Sequence, residues 1–542
     1  MEKETVYDVI VVGAGMAGLT SAAYLCSQGY RVLLCEKGEK AGGLVSSFEY
    51  EGFVFDGGIR AFENSGVLLP MLKELGIALE MVSNPVSIGI AGEWVRLVSK
   101  DSLSDYRKML EKLFPENVAD IAAITAEIEK VMGYMDVLYG IDNPLFVDYA
   151  NDKEYLVKTL LPWLLKYQLN IRKASKLDKP INEHLKRFTD NQALIDMITQ
   201  HFFKDTPAFF ALSYFGLYLD YNYPIGGTGV LAEKMLGRIR QDGGSILLDT
   251  QIGKIDISNR TVTTADKRSF GYKKLVWCAD MKALYAAAEL GGSSNRRQRT
   301  RIEEQQERIR ANHGGDSIFT VYMTVELDKS FFEGICGAHA FYTPNKSGLS
   351  SRKLPDWQDR LSERIGDEKA ALKTWLAEYL VLNTYEISCP VLRDNSLAPE
   401  GRTGIIVSTL MDYQLVKRVK DRGWYGEFKD YGTQQLIALL DATLFPGFAG
   451  KVSAAFCSTP LTIESRSGNA EGAITGWAFA QGELPSESRF PKIKQAVMTP
   501  IPDVYQAGQW TFSPSGLPIA ILTGKLAADA VSDALRKDKP EK

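Results

Sequence analysis

The chain has 542 residues, 45% hydrophobic and 24% charged, a globular composition that excludes a disordered, collagen-like or purely coiled-coil protein. Its 63 basic and 67 acidic residues leave a net charge of −4, which argues against a general nucleic-acid binder that needs an excess of phosphate-neutralising cations. At about 150 residues per domain, the length predicts three to four domain-sized units.

From the N-terminus, Tyr7 to Val12 reads as a strand buried on both faces, and Gly13-Ala14-Gly15-Met16-Ala17-Gly18 follows at once. A helix is predicted over Leu19 to Gln28, ending at Gly29, then a second strand from Arg31 to Cys35 that closes on Glu36. In this order the spacing points to dinucleotide binding. Gly13 permits the tight turn, Gly15 lets backbone approach a pyrophosphate, and Gly18 lets helix and strand pack closely, with the helix N-terminus facing phosphate charge. Glu36, 18 residues after Gly18, is placed to accept hydrogen bonds from a ribose. A Gly-rich turn that binds nothing is the plain alternative. The second glycine pair, Gly42-Gly43, followed by FEYEGFVFDGG up to Gly58, resembles FAD enzymes in which a loop folds back over the cofactor; an ordinary turn before a hairpin is the rival reading.

Further along, Leu68 to Leu75 is a predicted helix, EWVRLV (93–98) a strand, and Asp101 to about Met135 a solvated helical stretch. Tyr155 to Lys176 is rich in Leu, with Trp163, Tyr167 and only basic charges: Lys158, Lys166, Arg172, Lys173 and Lys176. Two readings stand for it: an interfacial membrane segment with cations at lipid headgroups, or a core helix kinked at Pro162. Residues 206–223 hold three Phe and four Tyr, lining something large and apolar or simply filling core. SILLDTQIGKIDI (245–257) is strand-like, LVWCAD (275–280) a buried strand, 291–312 a charge-dense helix or loop, and SIFTVYMTVEL (317–327) a sheet strand. Residues 346–370 read as a flexible excursion; DVYQAG (503–508) is a strand, and Ile519 to Leu535 a closing helix.

Other chemistries lack their residues. The six cysteines form no C-x-x-C pair and the four histidines lack ligand spacing, so neither a disulfide framework nor a metal site is expected. A complete Walker A loop and a G-x-S-x-G elbow are both missing. MEKET is not a secretory signal and no run of 18 apolar residues occurs; a cytoplasmic location without a spanning helix is expected.

Taken together, VIVVGAGMAGLTSAAYL, GFVFDGG, YPIGGTGVLAEKM (223–235), 385–413, ESRSGNAEGAITGW (464–477) and AGQWTFSPSGLPIAILTGKLAADAV (507–531) resemble, over more than 500 residues, the phytoene desaturase, carotenoid isomerase and retinol saturase-like branch of the FAD-dependent amine-oxidase superfamily. The resemblance implies an α/β fold: a Rossmann-like, glutathione-reductase-type FAD-binding domain (1–78, 224–284 and 496–535), a mixed-sheet substrate domain (79–110 and 285–495), and a helical, apolar-tunnel subdomain (111–223) that can meet a membrane. It implies FAD held by Gly13, Gly15, Gly18 and Glu36 at the AMP half, Gly42 and Gly43 at the pyrophosphate, Ile252 at the adenine, Gly508 and Gln509 at the ribityl chain, and Leu517 and Pro518 beside the pyrimidine end. Two departures matter. An acid of many relatives is replaced by Gln509, and the usual glycine run is reduced to Ser513-Pro514-Ser515-Gly516, so a stiffer loop is expected.

The implied activity is hydride exchange with an extended apolar isoprenoid or polyene by desaturation, isomerisation or saturation, using an external electron donor or acceptor. Arg60, Glu464 and Arg466 are the candidate polar groups near the flavin, with a structural ion pair the favoured reading of each. Two rivals remain: a flavin amine or amino-acid oxidase on the same fold, and a non-catalytic prenyl-binding carrier.

Overall fold

The computed structural model describes residues 5–147, 152–289, 296–352, 365–479, 484–489 and 492–538. Val6–Val12 is buried apart from Val6 and Asp8 and forms the middle of a parallel sheet. Val32–Cys35 lies on one side of it and Ser269–Trp277 on the other. Ser245–Leu247 extends the first edge, and Val504–Gln506 pairs with the C-terminal half of Ser269–Trp277. The N-terminal half of that strand instead carries an antiparallel meander, Thr261–Thr264 and Ile252–Asp256. A parallel sheet needs cover on both faces, and Met16–Ser27 and Leu517–Lys537 supply it on one side. This is a Rossmann-like, doubly wound arrangement whose strands come from both ends of the chain.

The stretch 245–257 is two strands on opposite sides of the sheet, not one. Between them the chain crosses the end of Val32–Cys35, where Asp249 N–H donates to Gly38 O (3.0 Å) and Thr250 N–H to Glu36 O (2.7 Å). Those bonds end the parallel pairing and turn the chain away.

A second, seven-stranded sheet runs in the order Val452–Ser458, Ser317–Val325, Thr403–Met411, Tyr385–Ser388, His339–Thr343, Val86–Ile90, Glu93–Leu97. One face of Ser317–Val325 (Phe319, Val321, Met323) packs under helices Ile365–Leu382 and Tyr425–Thr443. On the other face Tyr322 meets the aromatic hairpin Ser47–Tyr50/Phe53–Asp56. Within 346–370 a helix begins at Ile365; 353–364 lie outside the described residues.

A helical unit with its own core completes the molecule. The predicted 101–135 stretch is two helices, Ser102–Leu113 and Val118–Tyr139, because Pro115 lacks the N–H that a continuous helix requires. Pro162 lies inside a continuous helical run: Lys153–Tyr155 passes through a π-helical segment, Leu156–Leu160, directly into Leu161–Ala174, and the widened turn comes just before the residue that lacks an N–H. Residues 206–223 give the helix Ala208–Tyr218 and the strand Tyr221–Pro224.

Candidate functional site

The Gly-rich turn has the geometry its spacing requires. Gly13 has φ +95°, and a Cβ there would press on the Cys278 carbonyl at 3.0 Å. A Cβ on Gly18 would lie 1.8 Å from Gly13 O, so helix and turn could not pack with any side chain there. A Cβ on Gly15 would meet nothing within 4 Å. It opens onto free space at the N-terminus of Met16–Ser27, the place where helix N–H groups receive an anion. Glu36 holds the rim: Oε2 accepts from Ala14 N–H (2.7 Å) and Oε1 from Gly38 N–H (2.9 Å). Each oxygen keeps a lone pair for a further donor. Ile252 is buried at the start of its strand, two residues after the Thr250 N–H that bonds Glu36 O.

The second glycine pair lies directly on this turn. Gly42 N–H donates to Ala14 O at 2.8 Å, Gly42 forms a β-bridge with Gly15, and a Cβ on Gly43 would stand 3.3 Å from Gly15 Cα. The C-terminal segment joins them. Gly508 has φ +102°, its N–H donates to Thr523 Oγ1 (2.9 Å), and a Cβ there would sit 3.3 Å from Ala17 Cβ. Gln509 Nε2 donates to Ala473 O (3.3 Å). Leu517 and Pro518 open the last helix. The structure therefore brings Gly13, Gly15, Gly18, Glu36, Gly42, Gly43 and Gly508 to the carboxyl ends of Val6–Val12, Val32–Cys35 and Val504–Gln506, with Ile252 two residues from the bond to Glu36.

Asp56, at the end of the aromatic hairpin, escaped the sequence reading. It is fully buried and accepts from Thr228 N–H (2.9 Å), Thr228 Oγ1 (2.9 Å) and Tyr223 O–H (2.8 Å), which docks the Pro224–Gly229 turn onto the hairpin. The candidates Arg60, Glu464 and Arg466 form no ion pair among the described residues. Buried Arg60 donates to Asp56 O, Gly58 O and Ser408 Oγ. Glu464 accepts from Tyr413 O–H (2.9 Å) and Glu471 N–H (3.2 Å), and Arg466 is exposed.

A cavity of about 1690 Å³ opens beside the C-terminal loop, and none of those three residues lines it. Phe512 to Gly516 and Pro518 form one end. Phe209, Phe210, Tyr214 and Leu217 line it from Ala208–Tyr218, whereas Phe215 and Tyr218 of the same helix fill core. The aromatic stretch thus does both things proposed for it. Leu161–Ala174 forms an outer wall. Trp163, Leu164, Tyr167, Ile171 and Ala174 face the cavity, and Trp163 Nε1 donates to Val137 O. Val157, Leu161, Leu165 and Leu169, spaced four apart, are 60%, 51%, 75% and 62% exposed. Lys158, Lys166, Arg172, Lys173 and Lys176 are also exposed. No helix among the described residues is long and apolar enough to cross a membrane.

Glu63, also missed from sequence, lines the cavity from the short strand Phe62–Glu63. Burial pushes its carboxyl up to about 7, its own backbone N–H opposes this, and the Asp220 charge adds to it. Asp220 itself accepts from Asn64 N–H (2.8 Å) and Ser65 N–H (3.1 Å). A lone acid at a two-residue strand carries no local pattern that a sequence reading can detect.

Residues 11–75 match the family model of an NAD(P)-binding Rossmann-like domain. The chain is 22% identical to an inactive all-trans-retinol 13,14-reductase of Danio rerio, covering 97% of this chain and 86% of that one. It is 22% identical to a chloroplastic prolycopene isomerase of Arabidopsis thaliana (85% and 72%). It is 22% identical to a neurosporene-forming phytoene desaturase of Rhodobacter capsulatus (98% and 95%). Among solved structures, a variant of putrescine oxidase redesigned in cofactor binding aligns over 98% of this chain and 99% of its own, with a TM-score of 0.58 at 14% identity. That likeness is one of fold.

Proposed function

We propose that this chain is an FAD-dependent oxidoreductase acting on an extended apolar polyene or isoprenoid. The observation that carries the reading is the cavity: about 1690 Å³, beyond the roughly 300–1,000 Å³ of ordinary ligand pockets, walled by aromatic and aliphatic side chains along Ala208–Tyr218 and Leu161–Ala174, with charged residues such as Lys179, Arg308 and Lys494 elsewhere in its lining, and ending on the C-terminal loop. Curated relatives along most of the chain are named for retinol reduction, prolycopene isomerisation and phytoene desaturation. These are reactions of extended, largely apolar isoprenoid polyenes.

The glycine cradle fits FAD. The open space before Gly15 suits a pyrophosphate, with Gly13 and Gly18 making the turn and Gly42 and Gly43 closing the loop over it. Glu36 would hold the ribose and Ile252 would meet the adenine. Gly508 and Gln509 would meet the ribityl chain, and Leu517 and Pro518 would flank the pyrimidine end. Bound there, the flavin supplies two-electron hydride chemistry. The chain's own part is to bind the cofactor, hold the polyene by its apolar walls and exclude water. Arg60 would anchor the Asp56–Gly58 backbone from the side of Ser408. Glu464 and Arg466 lie off the cavity and would act through position. The discontinuous FAD unit, the mixed-sheet unit and the 111–223 helical unit proposed from sequence serve this division of labour.

The outer stripe of Leu161–Ala174 and its exposed cations would rest on an anionic lipid surface, with the cavity beneath. The test is incubation of the FAD-loaded chain with phytoene, prolycopene or all-trans-retinol, and separately with putrescine, under anaerobic conditions. Change of a polyene supports the reading. Flavin reduction by the amine, with every polyene untouched, would transfer the assignment to an amine oxidase; a colourless protein that binds prenyl chains without flavin would make it a carrier.

A further inference from the structure

The cavity contains one acid whose surroundings set it apart. Glu63 pairs through its strand with Tyr221, and a Cβ on Gly516 would stand 3.6 Å from Glu63 Oε1. Its carboxyl therefore lies across from the loop that leads into Leu517 and Pro518. Among the described residues no cation and no other side chain hydrogen-bonds it. Of the other acids on the cavity wall, Asp178 and Glu183 are exposed, and Glu487 is held by Arg489 at 2.9 Å and kept below the usual carboxylate range. The titratable groups facing Glu63 are Asp220, Tyr139, Tyr214 and Tyr221. Burial raises all three phenols above their ordinary value, so they keep their protons at neutral pH. Asp220 is also raised by burial and is tied to two backbone amides.

Hydride chemistry on a carbon–carbon double bond leaves one requirement for the protein. Saturation adds a hydride to one carbon and a proton to its neighbour; desaturation removes both. The hydride belongs to the flavin, and the proton needs an oxygen or nitrogen that can hold it and release it. We propose that Glu63 is the proton-exchanging residue of the cavity, its carboxyl O–H breaking as the substrate C–H forms, or the reverse in desaturation. This rests on the function proposed above. A group that titrates near neutrality without a fixed partner is suited to that exchange.

The experiment compares the FAD-loaded full chain with its Glu63→Gln and Glu63→Asp variants. Phytoene, prolycopene and all-trans-retinol serve as probes, and the flavin is prereduced for the saturation arm. Rates are followed from pH 5 to 9, products made in D₂O are analysed for deuterium, and infrared difference spectra follow carboxyl protonation. Glu63→Gln should lower turnover by about 100-fold or more. It should abolish the bend near neutral pH, lose the titrating carboxyl band, and leave flavin content and polyene binding intact. Turnover within threefold of wild type with the same bend, or a neutral-range carboxyl band that survives the substitution, overturns the role. Should Glu63→Gln fail to hold flavin, Glu63→Asp decides: a lowered rate with the bend retained supports the role, and an unchanged rate overturns it. A wild-type chain inert on all three polyenes overturns the substrate reading and this role together, and is told apart because no variant is needed to see it.

Discussion

The Ser21 hydroxyl donates to the Gly524 carbonyl at 2.8 Å, joining helices that lie 503 residues apart in sequence. A Cβ on Gly524 would lie 2.5 Å from Ala17 O, so the two helices touch backbone to backbone. That contact sets Gly508 against the first helical turn and makes the proposed FAD cradle from both ends of the chain.

Gly15→Val should leave the fold intact and empty the cradle. A Cβ there meets no protein atom within 4 Å, and the side chain would occupy the space assigned to the pyrophosphate. Flavin absorbance per mole of purified protein should fall several-fold at unchanged far-ultraviolet circular dichroism; full flavin occupancy would place the cofactor elsewhere.

Glu36→Ala should weaken FAD binding by about 1.5–3 kcal/mol, the worth of a hydrogen bond to a charged acceptor. Because the same carboxylate holds Ala14 N–H and Gly38 N–H, thermal stability without FAD should fall as well. Titration of the apoprotein with FAD, beside a melting curve, separates the two effects. Unchanged affinity would move the ribose contact to another residue.

Stability should carry the mark of Glu63. Its folded-state value of about 7 stands above the ordinary value of 4.5, so between those values the native state binds more protons than the unfolded chain. Stability then declines as pH rises through that window, by about 3 kcal/mol in all. Glu63→Gln removes the decline, so the variant should melt higher than wild type at pH 8 and show a smaller difference near pH 4. Parallel melting curves across pH would contradict the assignment.

Much of the first forty residues was legible because each role there depends on local spacing: a turn, a helix start and an acid at fixed offsets. The long-range partners were not. Asp56 reads as one acid in FVFDGG, yet it receives Thr228 and Tyr223 from more than 160 residues away. Pro115 ended a helix that charge pattern alone had drawn through it, and 245–257 was divided by backbone bonds to Glu36 and Gly38 that no periodicity records. For Leu161–Ala174 the composition pointed to two environments because the helix has two apolar faces, one inward and one outward.

Membrane attachment should be salt-sensitive. Flotation of the chain with liposomes containing phosphatidylserine should drop when Lys166, Arg172 and Lys173 become Gln, each cation contributing about 1 kcal/mol near an anionic surface. Replacing Leu165 and Leu169 by Ser should reduce flotation even at low salt. Binding indifferent to both changes would remove the lipid reading.

Chain length should govern KM. Each buried CH₂ contributes about 0.8 kcal/mol, so shortening the polyene should raise KM steeply, whereas replacing Glu464 or Arg466, which lie off the cavity wall, should change rate by less than about 100-fold. A KM independent of length would show that the long cavity does not hold the substrate.

The two-faced helix has a kinetic consequence. With lipid against Leu165 and Leu169 and the cavity behind Trp163 and Tyr167, a polyene would pass from bilayer to protein without entering bulk water, where such molecules barely dissolve. The concentration variable of the enzyme is then the mole fraction of polyene in the membrane. Diluting a suspension of loaded vesicles should leave the rate per bound enzyme unchanged, and adding empty vesicles should slow it by spreading enzyme and substrate over separate surfaces.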